Sequence, residues 1–562
     1  MLLTVRIAAL RPLTRHHPLR YGRRLAEALV TRSQHSATAT TERTAAANEA
    51  VELYRRLDRD QPDRHRVGLA RALVAQAAVP DDRTLSSTVA LTCEAIDHLE
   101  DADDRAAVVV QAEARWLAAA CLHATGLVRD ALVLAYQARA SWLRSEPSGV
   151  ADRVALVRTL ILIGDCRAAL GRPEEALAAH QEAMDRYRAI PLLRQGRWAA
   201  IRFPAAVALA ESLAAVGRWD DALALAEQFH LELDNKLALR LKPLWARQLL
   251  GQLLRVMASC QEELGEPEAA RQAAEEAVDH QRCLAEAAAP GHEKGLAEAL
   301  HTLGTLLAGA GRRAEAADRL TEAVDVAREA DDDDDILSRA LLSLAEVSLA
   351  MGERTAAEPL LAEVVSVGRM HDEELPERWR PRLVSALTLT CRMWAIEPLP
   401  AEMEPDAVDR GLAAGRESVE LARKLASADK RYRELLCNSL VHLEDALDRA
   451  GDPLGGIELL REYVAIRRDL FADDPEDERL DLAEALGALG ERLYALDRLD
   501  EAADAEQSCV ALLRDGGTEI PPEALATALR ELAQTWHRLG RTAEAERVAA
   551  EAAVIESGVP VD

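Results

Sequence analysis

Leu296 to Glu329 reads LAEALHTLGTLLAGAGRRAEAADRLTEAVDVARE. Leu296, Leu300, Leu303 and Leu307 recur at helical spacing, and Ala316, Leu320, Ala323 and Val324 do so again beyond Gly311. Gly311 falls where the first helix must stop and turn back. Gly304 and Ala316 are small where two helix backbones must approach closely. The stretch therefore predicts a hairpin of two amphipathic helices.

The frame recurs along the chain. Turn residues in register are Gly126, Gly171, Gly217, Gly265, Gly311, Gly352, Gly451, Asp497 and Gly540. Five residues after each comes a small one: Ala131, Ala176, Ala222, Ala270, Ala316, Ala357, Gly456, Ala502 and Ala545. Seven residues before, Ala119, Gly164, Ala210, Ala258, Gly304, Ala345, Gly490 and Ala533 form a second small column, which Glu444 breaks. Successive turns lie 45, 46, 48, 46, 41, 99, 46 and 43 residues apart, so the gap of 99 hides one degenerate unit near residue 400. Earlier periods end at Val79-Pro80-Asp81-Asp82 and at Thr31-Arg32-Ser33-Gln34.

Leu300, Leu303-Gly304, Gly311, Ala316, Leu320 and Ala323 match the pattern of a tetratricopeptide (TPR) repeat, which the chain resembles over nearly its whole length. The resemblance implies an all-α, right-handed α-solenoid of roughly twelve antiparallel hairpins. A period of about 46 residues exceeds the 34 usual for that family and falls in the HEAT/armadillo range. The small columns and the turn position favour TPR, with each helix lengthened to about 19 residues, roughly 28 Å.

The expected organisation is a basic lead-in over 1–17 and a sub-array over 18–370. A proline-rich irregular seam with the degenerate repeat follows over 371–410, then a second sub-array over 411–562. The seam holds Pro376, Pro381, Pro398, Pro400 and Pro405, and proline interrupts helices. The lead-in is read as frayed, with a first hairpin from Pro18 to Leu57. It does not resemble a secretory signal, because its charge follows the apolar part. No alternating β-branched run bounded by turns appears, and no stretch of 18 apolar residues, so neither a sheet nor a membrane span is expected.

The net charge of −28 opposes general nucleic-acid binding, which needs a basic surface. Lysine is nearly absent, with five residues against 63 arginines. The eight cysteines are scattered without a CxxC pair and read as small buried thiols of a reducing cytoplasm. The Asp331–Asp335 run lacks the glycine and terminal glutamate of a calcium loop and reads as a solvated connector. His280 and Cys283 share a helix face without a second ligand pair. His371-Asp372-Glu373-Glu374 reads as a solvated connector. No phosphate-binding, dinucleotide or HExxH motif occurs, so neither catalytic residues nor a cofactor or metal are expected.

The TPR pattern places first helices on the concave side of the superhelix. The polar groove row it implies comprises Arg158, Asp165, Glu211, Gln252, Arg255, Glu298, His301, Arg339, Glu346, Asn438, Asp445, Glu484, Glu491 and Arg530. The implied function is a non-enzymatic scaffold binding a polypeptide segment there, a family-level analogy. That segment is expected to be basic or polar, because carboxylates outnumber arginines in the row. The chain's own arginine-rich N-terminus is one candidate, which makes self-association an alternative. Two other functions remain open: a regulatory or sensor array serving a separate signalling module, and an enzyme or accessory using the groove as a substrate cleft.

Overall fold

A computed structural model describes residues 2–35, 38–61, 64–79, 85–100, 102, 104–147, 149–191, 201–237, 244–287, 289, 292–330, 334–373, 375–396, 407–516 and 520–557. Among them are 25 α-helices and no strand. No helix among them is long and apolar enough to cross a membrane. Successive helices pack as antiparallel hairpins, giving an all-α solenoid.

All nine turn residues adopt the left-handed conformation, the eight glycines at φ between 69° and 81° and Asp497 at 59°. At Gly311 the reason is visible in the hydrogen bonds. The Gly311 N–H donates to the Ala308 carbonyl at 3.0 Å, and the Arg312 N–H to that of Leu307 at 2.9 Å. This pair of bonds caps the orphan carbonyls of the first helix, and it needs a residue tolerant of positive φ. The same pair closes the turn at Gly126 and at Asp497.

Both small columns are buried. A β-carbon at Gly304 would lie 2.6 Å from Cγ of Leu320, so the leucine occupies space that the glycine vacates. Sealing one such leucine from water contributes about 2 kcal/mol. Where Glu444 interrupts the first-helix column, the opposing position is Gly456, whose β-carbon would meet Glu444 at 3.3 Å. The second-helix position, alanine in the other units, is glycine here, and the close approach is kept.

The chain divides into two compact units, Met1–Asp333 and Asp334–Asp562. In the first, the expected frayed lead-in is instead a helix, Leu2–His16, packed on Pro18–Ser33. Ile7 is its buried anchor, at 1% exposure, and this apolar contact holds the arginine-rich segment in place. The hairpin Pro18–Ser33 with Thr40–Asp60 follows, then Arg66–Ala77 with Leu85–Asp97. The turn expected at Val79–Asp82 lies mostly outside the described residues.

In the second unit, Pro376–Cys391 is a helix despite Pro381, and runs into a π-helical turn, Arg392–Ile396. Pro376 occupies the first helical position, where a missing N–H costs nothing. Pro381 leaves the carbonyl of Glu377 without its helical donor, and the Tyr432 hydroxyl approaches that carbonyl at 3.4 Å. The helix pairs with Ala407–Ala428, forming the degenerate hairpin. Pro398, Pro400 and Pro405 lie outside the described residues. Buried hydroxyls of Thr388, Ser418 and Ser439 bond one another at 2.6, 2.9 and 3.1 Å where three helices meet, and Gly415 keeps the same helices close, since its β-carbon would lie 2.7 Å from Sγ of Cys391.

Helices run near the expected length, 20 residues for Val150–Ala169 and 17 for Arg313–Glu329. Second helices of successive hairpins are also tied by Arg–Glu pairs: Arg139–Glu182 and Arg282–Glu322 in the first unit, Arg369–Glu417, Arg423–Glu462 and Arg514–Glu551 in the second. Several are two-point contacts that a lysine ammonium cannot reproduce, a physical use for the arginine bias. Each exposed pair contributes about 0–1 kcal/mol.

Candidate functional site

First helices of neighbouring hairpins also pack directly on one another. Val150–Ala169 touches Arg202–Ala215, which touches Leu244–Glu263, which touches His292–Gly309. Their shared face bounds a cavity of about 590 Å³, within the usual range of ligand sites. Asp165, Glu211, Gln252, Arg255 and Glu298 of the expected row all line it. Each sits on a first helix, and the common register of the hairpins brings them together.

Arg255 is the electrostatic centre. Its Nη2 lies 2.5 Å from Glu211 and its Nε 3.6 Å from Glu298. Burial works against its charge, but Glu298 and Glu211 outweigh that and raise its pKa. Burial also pushes the Glu211 carboxyl above its usual range; Arg255 opposes this, while Glu298 and Asp165 add to it. Glu211 and Glu298 thus share one arginine in a partly dehydrated space, with Asp165 adding like charge beside Glu211.

Sequence reasoning missed much of the lining. Trp245 and Gln248 precede Gln252 and Arg255 on one helical face, spaced three, four and three residues apart. That spacing was legible, but the repeat frame stops short of it. Gln281 comes from a second helix, Pro267–Glu286, which the groove pattern does not include. His123, His292 and Lys294 complete the polar lining.

The remaining row residues are not gathered in this way. Arg158 lies with its guanidinium 3.8 Å from the centre of the Trp116 ring, and burial lowers its pKa. His301 is buried in the packing. In the second unit, Arg339 is half-buried near Asp335, while Glu346 is exposed with Arg392 nearby. Asp445 is engaged by Arg492 at 3.5 Å, in a cluster where Arg492 also meets Glu444 at 2.8 Å and Asp448 at 2.9 Å. Asn438, Glu484 and Glu491 are exposed, and Arg530 turns to Glu556 at 3.1 Å.

Asp165 also belongs to a hydrogen-bonded chain with His180 and Ser212. Nε2 of His180 lies 3.2 Å from Asp165 and 3.1 Å from the Ile161 carbonyl, both acceptors, so it carries the proton. Nδ1 then accepts from the Ser212 hydroxyl at 2.7 Å. The residue types are those of a hydrolase triad, but Ser212 is 4% exposed and does not line the cavity. A nucleophile must reach its carbonyl; this serine faces packed helix. The chain of bonds instead seats His180 in the space left by Gly164, whose β-carbon would lie 2.1 Å from Nε2.

Three other sequence readings change. Asp334 and Asp335 are not a free connector: they open the helix Asp334–Ala350, Asp335 pairs with Arg378 at 3.0 Å and Arg382 at 2.6 Å, and Asp334 meets His371 at 2.9 Å. Asp331 to Asp333 lie outside the described residues. His371 stacks on Trp379 with ring centres 4.7 Å apart, and Asp372 takes both contacts of Arg380, so this connector is tied down by packing and charge. Cys93 is exposed and Cys283 half-buried; the other six cysteines are buried. Among the described residues, no group of three or more His, Cys, Asp or Glu is arranged to hold a metal.

A family model described as Anaphase-promoting complex subunit 5 (ANAPC5) matches residues 249–287, 285–338 and 333–375, about one hairpin per match and well under half of the chain. No curated protein matches. Among solved structures, the apo form of RapI is similar at 12% identity, covering 73% of this chain and 98% of that one, with a TM-score of 0.45. A Rap protein complexed with competence and sporulation factor is similar at 11% identity, covering 77% and 99%, with a TM-score of 0.39. The APC/C hetero-tetramer Cut9–Hcn1 is similar at 13% identity, covering 99% and 97%, with a TM-score of 0.31. The chain is a TPR-type helical-repeat array, as its left-handed turns and paired small columns require.

Proposed function

We propose that the protein is a non-enzymatic interaction scaffold that holds a polypeptide segment against the first-helix face of its first unit. The observation that supports this most directly is the cavity itself. Five polar residues from four first helices converge on about 590 Å³, beside the exposed apolar side chains of Leu244 and Trp245. Exposed aromatic surface next to convergent polar groups is the composition of a recognition site. The helix Leu2–His16 is already packed on its neighbour, so self-capture of the N-terminus would first have to expose Ile7.

Site-specific photo-crosslinking in the native host tests this. A benzophenone side chain replaces Gln248, which is exposed and lines the cavity, or Asp279, which is exposed on the second helix Pro267–Glu286. Covalent capture of a polypeptide from position 248 and not from 279 is the expected result. Equal capture from both positions, or none from 248, would remove the first-helix face as the site.

A further inference from the structure

Asp165, Glu211 and Glu298 face one cavity against Arg255 and Lys294, leaving an excess of negative charge with the histidines neutral. Arg255 does not satisfy all three. Its 3.6 Å approach to Glu298 is beyond hydrogen-bond range, so that carboxylate keeps acceptor capacity toward the cavity.

Gln281 provides an independent observation. It is 3% exposed and lines the same cavity, yet its amide makes no hydrogen bond among the described residues. Two glycines from first helices fix it in place. A β-carbon at Gly251 would lie 2.6 Å from its Nε2, and one at Gly295 would lie 2.6 Å from its Oε1. A polar group so buried calls for a partner. Its carbonyl oxygen adds a neutral acceptor to the three carboxylates. Leu244 and Trp245, 45% and 48% exposed, supply an apolar flank.

We propose that this cavity takes the side chain of an arginine or lysine from the bound polypeptide, its cationic head among Glu298, Glu211, Asp165 and Gln281 and its methylene stem along Leu244 and Trp245. The proposal rests on the peptide reading above and names its specificity. Charge decides the sign. An acidic side chain would meet three carboxylates, while the one central arginine is already engaged. A cation relieves their mutual repulsion and answers the unpartnered amide.

The test is to pan a random heptapeptide display library against the full chain. Enriched peptides should share an arginine or lysine and should be lost on Trp245→Ala. With synthetic copies on the wild-type protein, changing arginine to citrulline, or lysine to acetyl-lysine, should weaken binding at least about tenfold, the scale of one charge-assisted hydrogen bond. Separate arginine and lysine copies show which head is preferred. Glu211→Gln with Glu298→Gln should cause a similar loss, with the helical signal and melting curve checked for folding. Trp245-dependent peptides without a cation, or citrulline copies that bind as well as arginine ones, would overturn the cationic pocket and leave the peptide site standing. No Trp245-dependent peptide at all would overturn both.

Discussion

A β-carbon at Gly490 would lie 2.8 Å from Cγ of Glu506, so these two residues interlock across the hairpin of Arg479–Ala495 and Leu499–Asp515. Gly164 with His180 and Gly304 with Leu320 repeat the arrangement at the same places of the frame. Glycine is a poor helix former. It persists here because the partner helix inserts a large side chain where a methyl group would stand.

Two glycines of one helix should therefore respond oppositely to alanine. Gly487 has nothing within 4 Å of a built β-carbon, so Gly487→Ala should stabilise by about 0.5–1 kcal/mol through helix propensity. Gly490→Ala gains the same propensity but must displace a buried glutamate, and overpacking of that kind costs about 1–3 kcal/mol. Denaturant titrations of both variants check the signs. Stabilisation by both would mean that Glu506 moves aside freely.

Glu506 should also make the second unit sensitive to pH. Burial pushes its carboxyl up to about 7, Thr535 opposes this by donating a hydrogen bond at 2.9 Å, and Glu531 adds to it. Its other oxygen is buried with no hydrogen-bond partner among the described residues. The folded value lies above the unfolded 4.5, so between these pH values the folded protein holds a proton that the unfolded chain has released. Stability then falls as pH rises through that window and is unaffected below it. Glu506→Gln should flatten the slope and stabilise by about 1–3 kcal/mol at pH 8. Hydrogen exchange in Leu499–Asp515 at pH 5 and 8 measures this. An unchanged slope in the variant would assign it to another group.

The hairpins were legible in the sequence because turn chemistry and close packing act through single residue types. Only glycine, or an occasional Asp497, accepts a left-handed turn, and only small residues fit between touching helices. The degenerate hairpin was harder to recognise because hydroxyls at Thr388, Ser418 and Ser439 do part of the work of alanines. The helix at Leu2–His16 was obscured by its arginines, since one buried Ile7 leaves a weak pattern. In the cavity, the frame located Glu211, Arg255 and Glu298 but not Gln281, because no first-helix pattern reports what a second helix inserts between two glycines. The acidic run at Asp334–Asp335 read as loop because its partners, His371, Arg378 and Arg382, lie 37 to 47 residues away in sequence.

Asp335 should prove structural. Burial alone would raise its pKa, but Arg382, Arg378 and Arg339 outweigh it and hold the carboxyl at about 2. The folded value lies below the unfolded 3.8, so this stabilisation is present above pH 3.8 and is lost as pH falls through about 2. Asp335→Asn should cost about 1–3 kcal/mol at pH 7, where it leaves arginines facing one another without their counter-ion. Melting curves of wild type and variant should converge on acidification. A constant gap down to pH 2 would show that the loss is steric.

Arg255 should affect stability and affinity in opposite directions. Arg255→Met keeps a long apolar stem but leaves Glu211 and Glu298 without their shared cation, and breaking such a partly buried cluster should cost about 2 kcal/mol at pH 8. With the arginine gone, burial and like charge act unopposed by it on Glu211, raising its folded value further above the unfolded one. The penalty should therefore shrink as pH falls toward 5, as the folded state takes up the proton. Adding Glu211→Gln should restore part of the loss at pH 8. The same Arg255→Met change makes the cavity more acidic, so arginine-bearing peptides selected on wild type should bind it more tightly at neutral pH, and added salt should erase the gain. A loss that is independent of pH and unaffected by Glu211→Gln would make Arg255 a packing residue. Weaker binding of those peptides would mean that the guanidinium itself contacts the ligand.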